Sequence, residues 1–180
     1  MFTVRRARSA DVPALEALIA RSGRELSVGY YTALQAEAIT RYVFGVDTQL
    51  IADETYLVIE DATHIVACGG WSRRRTLFGA DRTKASEDPL LDPATEPARI
   101  RAFFVDPAMA RRGLGRQLID QCMAEARKVG FHSIELVATL PGVPLYLASG
   151  FTIVERFDLH LPEDVRVPVA RMHRSLPPAS

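Results

Sequence analysis

Apolar positions along the chain recur first with a period of two and then with a period near 3.6, and the order of these stretches outlines the elements. Phe2 to Ala7 alternates as a short strand. Ser9 offers an N-cap ahead of Val12, and Leu15, Leu18 and Ile19 follow at helical spacing. After Gly23 a stretch with Gly and hydroxyl residues reads as a turn. From about Thr32 a second helix places Leu34, Ala38, Ile39, Tyr42 and Val43 on one face and stops at Gly45. Thr55 to Ile59 and Ile65 to Trp71 are β-branched and aromatic runs, predicted to form a hairpin across the connection EDATH.

Arg73 to Pro97 breaks the periodicity. Arg73, Arg74 and Arg75 are followed by Gly79, Pro89, Pro93 and Pro97 among acidic residues, which predicts a long loop or flap. Ile100 to Val105 resumes as an apolar strand that Asp106 and Pro107 stop. From Leu114 the residues Leu118, Ile119, Cys122, Met123, Ala126 and Val129 fall at helical steps, and Gly130 ends the run. Ser133 to Val137 reads as a strand, PGVPLYLASGF as a short helix closed by Gly150, and Thr152 to Leu161 with Val165 to Met172 as a final strand pair around Pro162. Residues 176–180 read as a frayed tail. No internal repeat interrupts the order, so residues 1–180 read as one domain.

Composition narrows the function classes. With 180 residues and 48% apolar content the chain can bury a substantial core. Lys plus Arg (22) equals Asp plus Glu (22), which removes the global charge footprint of a nucleic-acid or polybasic membrane binder, so any basic site must be local. Cys68 and Cys122 sit in apolar contexts without CxxC spacing and read as buried thiols. His64, His132, His160 and His173 have no ligand spacing, so no metal is expected. The N-terminus has no apolar signal core, and no apolar run approaches the roughly 18 residues of a membrane span, which predicts a cytoplasmic protein without a membrane partner. A homodimer is left open.

The stretch ARRGLGRQL, Ala110 to Leu118, sets three arginines and two glycines at the start of the most periodic helix. A helix start exposes unpaired amides and the positive end of the helix dipole, and glycine lets an anion approach them. Gly113 and Gly115 with Arg111, Arg112 and Arg116 therefore read as a diphosphate cradle, or else as a turn with a solvated basic face. Other phosphate motifs fit poorly. No GxxxxGK[ST] string occurs, and a GxGxxG fingerprint fails at Leu118 and lies too far from Val105, although Glu135 sits where a ribose-binding acid would.

The residues FFVDPAMARRGLGRQLI, followed by PLYLASGF, resemble the GCN5-related N-acetyltransferase superfamily. The resemblance is strong over Ile100 to Phe151 and weaker over the rest. It implies a mixed α/β (α+β) fold with a mostly antiparallel sheet, splayed between its fourth and fifth strands and covered by helices on both faces. Gly113 and Gly115 match the small positions of the family's (Q/R)xxGx(G/A) loop, which holds the pyrophosphate of acetyl-CoA, the implied acetyl donor. The Gln/Arg position falls on Ala110, so less side-chain help is expected there, with Arg111, Arg112, Leu114 and Arg116 alongside. By the same resemblance Phe103, Phe104 and Val105 line the pantetheine slot, and Tyr146 takes the tyrosine position of YxxxGF beside the CoA sulfur.

Acetyl transfer from a thioester to an amine needs a neutral amine, a stabilised oxyanion and a proton for the departing thiolate. A tyrosine hydroxyl, with an unperturbed pKa of about 10, can give that proton, which makes Tyr146 the candidate general acid. A backbone amide at the end of the Ile100 to Val105 strand is the candidate carbonyl polariser. Relatives carry a glutamate early on this strand, but Arg99 stands there, and Glu25, Glu54 and Glu135 read as exposed charges as readily as bases. The base is therefore unassigned, with water as an alternative.

Arg73, Arg74, Arg75, Arg99 and Arg101 would recognise an anionic acceptor if they converged, or are solvated strand-exit charges. Trp71, Tyr30 and Tyr31 are read as walls of an acceptor pocket or as core. The expected activity is N-acetylation of a primary amine on a small molecule or peptide by direct transfer in a ternary complex. The alternatives are a non-catalytic acyl-CoA-binding regulator, suggested by Arg99, and a nucleotide-dependent oxidoreductase.

Overall fold

Among the described residues seven strands form one sheet: β1 (Phe2–Arg6), β2 (Tyr56–Asp61), β3 (His64–Ser72), β4 (Ala98–Val105), β5 (Ser133–Thr139), β6 (Thr152–Leu161) and β7 (Val165–Ser175). Their spatial order is β1-β2-β3-β4-β5-β7-β6. Every neighbouring pair is antiparallel except β4 with β5. The computed structural model describes residues 1–62, 64–81 and 88–177. Among them no helix is long and apolar enough to cross a membrane.

Among the described residues five α-helices cover the two faces: α1 (Val12–Leu26), α2 (Ala33–Tyr42), α3 (Thr48–Ala52), α4 (Leu114–Val129) and α5 (Val143–Ala148). Strand alternation sorts β2 between them, because successive side chains point to opposite faces. Leu57 and Ile59 join Leu118, Ile119 and Cys122 of α4, whereas Tyr56 and Val58 join Leu15, Leu18 and Ile19 of α1. A third cluster sets Ala38 and Ile39 of α2 against Leu159, Val167 and Val169 of β6 and β7. Leu118, Ile119 and Cys122 are wholly buried, and each aliphatic side chain of this kind contributes about 1.5–3 kcal/mol by leaving water.

Local signals set most boundaries. The Thr32 hydroxyl accepts from the Gln35 amide at 3.2 Å while the Gln35 side chain accepts from the Thr32 amide at 3.1 Å, a reciprocal cap that starts α2. Gly130, with φ 105°, ends α4. The pattern of apolar positions missed α3, which is too short to show a repeat and is started by Asp47 capping Leu50 at 3.4 Å. The hairpin of β2 and β3 is tighter than expected, pairing Asp61 with His64 and leaving only residues 62–63 between the strands.

The long loop expected over 73–97 is tied down at its base. Arg74 bridges to Leu90, the Arg75 amide donates to Pro89 O at 3.1 Å and the Leu91 amide to Arg73 O at 2.8 Å. Its segment 82–87 lies outside the described residues. Leu176 is a correction to the frayed tail of 176–180: it is buried and its amide donates to His132 O at 2.7 Å. Residues 178–180 lie outside the described residues.

Candidate active site

β4 and β5 pair only at Ala98 with Ile134 and Arg99 with Glu135. At that junction Arg99 forms an ion pair with Glu135 and donates to Pro97 O at 2.9 Å, and Glu135 also meets Arg171 at 3.4 Å. Beyond it the strands part. β5 stays with β7 along its whole length, while β4 stays with β3 through a bulge at Ala102, whose φ is 54°. A bulge bends its strand and increases the local twist, which carries the far end of β4 away from β5. The bulge is fastened from behind by Tyr56, whose hydroxyl donates to Ala102 O at 3.2 Å and lies 3.3 Å from Cys68 Sγ. The parting opens a cleft of about 620 Å³ lined by Ile100 to Val105 on one wall and Leu136 to Thr139 on the other.

At one end of the cleft the chain turns from β4 into α4. Asp106 accepts from the amides of Ala108 and Met109 at 3.0 and 2.8 Å, and Ala110 donates to Pro107 O at 3.2 Å. From there the accounting stops. Among the described residues none of the amides from Arg111 to Arg116 finds an acceptor. Arg111 and Gly113 both adopt left-handed backbone, with φ of 65° and 82°. Such alternation turns successive N–H groups into one concavity at the positive end of a helix of 16 residues. Gly113 suits its place because a side chain there would be strained. Gly115 is small for another reason: a Cβ would lie 2.8 Å from Leu145 of α5.

Of the residues expected around this cradle, Phe103, Phe104, Val105, Arg111, Gly113, Leu114, Gly115 and Arg116 line the cleft. Arg116 also pairs with Asp120 at 3.1 Å and donates to Ala148 O at 2.9 Å. Arg111 forms no ion pair among the described residues, so its charge faces the opening unneutralised. Arg112 turns away. Its guanidinium lies 5.5 Å from the Phe2 ring centroid and 3.0 Å from Met109 Sδ.

Tyr146 stands on α5 at the wall of the cleft, edge-on to Phe103 and Phe151 at centroid distances of 6.3 and 5.7 Å. It is 7% exposed, and no hydrogen bond among the described residues holds its hydroxyl. Burial pushes the phenol well above its usual pKa, with the neighbouring Cys122 thiol adding to the shift. Tyr146 therefore keeps its proton at neutral pH.

The other candidates scatter. Arg74 binds Asp53 at 2.7 Å, Arg75 reaches Glu96 at 3.5 Å and Arg99 is engaged at the strand junction, so the five arginines do not converge. Arg101 alone of these lines the cleft, but it is buried and saturated by Asp47 at 2.9 Å, Thr76 O at 2.9 Å and Gly79 O at 2.6 Å. Trp71 does not line the cleft but is buried in the core against α4, donating to Glu125 at 2.9 Å. Tyr31 is a clasp: its hydroxyl donates to Pro168 O at 2.7 Å and accepts from the Leu140 amide at 2.9 Å, and burial pushes it up to about 12. Tyr30 lines the cleft, whereas Glu25, Glu54 and Glu135 do not.

Sequence reasoning missed Phe44, Leu77 and Phe78, which line the end of the cleft opposite the cradle. Phe44 lay at the end of the predicted second helix but off its apolar face, and the other two lay in the aperiodic loop, so no local pattern marked them.

The sequence profile of the acetyltransferase (GNAT) family matches residues 19–151. No curated protein matches the chain by sequence. Among solved structures, a GCN5-related N-acetyltransferase from Rhodopseudomonas palustris superposes with a TM-score of 0.70 at 16% identity, covering 97% of this chain and 95% of that one. The ribosomal-protein-S18-alanine N-acetyltransferase of Escherichia coli gives 0.60 at 18% identity over 100% and 97% of the two chains. A GNAT family acetyltransferase from Brucella melitensis, solved in complex with acetyl-CoA, gives 0.58 at 17% identity over 100% and 91%. At such identities the structural likeness speaks for the fold. Taken with the splayed sheet and a profile spanning well over half its length, it places the chain in the acetyltransferase (GNAT) family.

Proposed function

We propose that the protein transfers the acetyl group of acetyl-CoA to a primary amine by direct attack in a ternary complex. The observation that carries this reading is the run of acceptor-free amides from Arg111 to Arg116, set at the mouth of a slot between two unpaired strand edges. A diphosphate fits that set of groups: amides aimed outward, the charge of Arg111, which forms no ion pair among the described residues, and no side chain at Gly113 to block approach. Arg116 would add a second cation and Leu114 an apolar floor. Phe103, Phe104 and Val105 would border the pantetheine arm, with the freed edge of β4 offering main-chain groups to its amides.

When bound, acetyl-CoA supplies an acetyl group activated as a thioester. The acceptor nitrogen attacks the acetyl carbonyl carbon, the carbon–sulfur bond breaks, and the nitrogen sheds a proton to water. Tyr146 Oη gives its proton to the departing sulfur and is reprotonated from solvent. Its raised pKa keeps the proton in place until then, and a thiolate formed in the same dry site is made more basic by the same desolvation. A β4 amide beyond the bulge at Ala102 would polarise the carbonyl.

The test is CoA release measured against a panel of primary amines, beside acetyl-CoA affinity measured by calorimetry. Turnover with micromolar binding supports the transferase. Tight binding without turnover by any amine would instead favour an acyl-CoA-binding regulator.

A further inference from the structure

Opposite the cradle the cleft extends between α1, α2, the segment 77–79 and the paired strands β6 and β7. Its walls there are chiefly Leu26, Ile39, Val43, Phe44, Phe78 and Leu159, with Ser22, Ser27 and Tyr30 contributing hydroxyls but no opposite charge for an ammonium. The titratable side chains lining the whole cleft, among the described residues, are Tyr30, Tyr146, Arg101, Arg111 and Arg116; Asp, Glu and His line none of it. Arg101 is 3% exposed and already spent on Asp47, Thr76 O and Gly79 O, so it offers nothing to a carboxylate. It is a structural pin, holding the segment with Leu77 and Phe78 over this arm.

Resting on the acetyl-transfer reading, we infer that the acceptor is a small apolar primary amine that enters this arm already neutral. An ammonium ion leaving water for aliphatic and aromatic walls loses its hydration without gaining an opposite charge, a cost that drives the group to shed its proton or stay out. Among the described residues the lining offers no carboxylate or imidazole to take that proton. Neutral amines with apolar bodies escape both costs and gain by covering the walls. The size agrees, since about 620 Å³ falls in the range of small-molecule sites and must also admit the pantetheine arm.

The experiment compares benzylamine and 4-ethylaniline with lysine and spermidine as acceptors of the purified protein, with acetyl-CoA affinity measured separately by calorimetry. The expected result is a kcat/KM at least about tenfold higher for the two apolar amines. The pH dependence should also bend at a value that moves with the acceptor's own pKa, because no group of the cleft serves as base. Preference for lysine or spermidine overturns the inference and leaves acetyl transfer standing, as does a bend that stays fixed when the acceptor changes. Acetyl-CoA binding with none of the four amines acetylated also overturns it. Failure to bind acetyl-CoA removes the transfer reading itself, and the inference with it, and calorimetry reveals this independently of any acceptor.

A variant guards the result. Phe78 is 42% exposed, so Phe78→Glu should fold. It should lower kcat/KM for benzylamine, raise it for spermidine and leave acetyl-CoA affinity unchanged. Equal rates for both amines in the variant and the parent would show that this arm is not where the acceptor sits.

Discussion

The two ends of the cleft are built from different materials. At the α4 end the opening is faced by main-chain amides and by the guanidinium of Arg111, and the side chains at Gly113 and Gly115 are simply missing. At the α1–α2 end it is faced by Ile39 and Leu159, whose backbones lie in α2 and β6, and by Val43 and Phe44, whose amides both donate to Ile39 O at 2.9 Å. One end is suited to a fixed anion and the other to a body of unspecified shape. A backbone cradle tolerates few alternatives, because its φ angles and close approaches demand glycine at set positions. An apolar wall tolerates many, because hydrophobic residues of similar volume interchange at modest cost. On the proposed reading the cradle suits the constant donor and the wall the acceptor.

The sharpest break of this comparison comes at the point where the two ends meet. Tyr146→Phe should lower kcat by about 10²–10⁴ while leaving acetyl-CoA affinity nearly unchanged, as single-turnover kinetics and calorimetry would register. An unchanged kcat would remove the proposed acid. Next in size, Gly113→Asp should weaken acetyl-CoA binding on the order of a hundredfold, about 2.7 kcal/mol, by placing a strained, negatively charged residue at φ 82° in the cradle. Unaltered affinity in calorimetry would remove the diphosphate from this loop.

The other end is probed by Tyr31→Phe. It strands the Leu140 amide and frees Pro168 O, costing about 1–3 kcal/mol in urea denaturation, and should raise KM for the amine more than that for acetyl-CoA. Equal changes in both would mean that the two ends are not separable.

The smallest effect tests the scaffold behind both ends. Asp53, hydrogen-bonded to Arg74, and Asp11, hydrogen-bonded to Arg5, are held below their ordinary value of 3.8. Depressed folded pKa values mean that their stabilisation is complete above that value and is lost as pH falls through the folded values. Urea midpoints should therefore hold steady between pH 7 and 5 and drop below about pH 4. Replacing Asp53 by Asn should flatten the drop.

Strands and long helices were legible wherever one face is buried and the other wet. That is why α4, with Leu118, Ile119, Cys122 and Met123 in the core, could be drawn from spacing alone. The turn into α4 was legible for a related reason at Gly113, which answers a local backbone demand at φ 82°, whereas Gly115 answers the approach of Leu145 from α5. Arg112 shows the limit. It sits within the same short string as Arg111, yet its direction is decided by Phe2, more than a hundred residues away in sequence.

The sequence by itself determined the order of elements, the balanced charge that excludes a large basic surface, and the glycine-spaced start of α4. The charge balance follows from composition, and the other two from interactions within a turn or two of the chain. Only the tertiary structure decided that β4 and β5 part after two pairs, and that Arg101 is spent on Asp47 rather than on a ligand. It also decided that the wall facing the cradle is apolar. Those outcomes depend on which distant segments share a space, and a hydrophobic residue carries the same local signature whether it fills a core or lines a cleft.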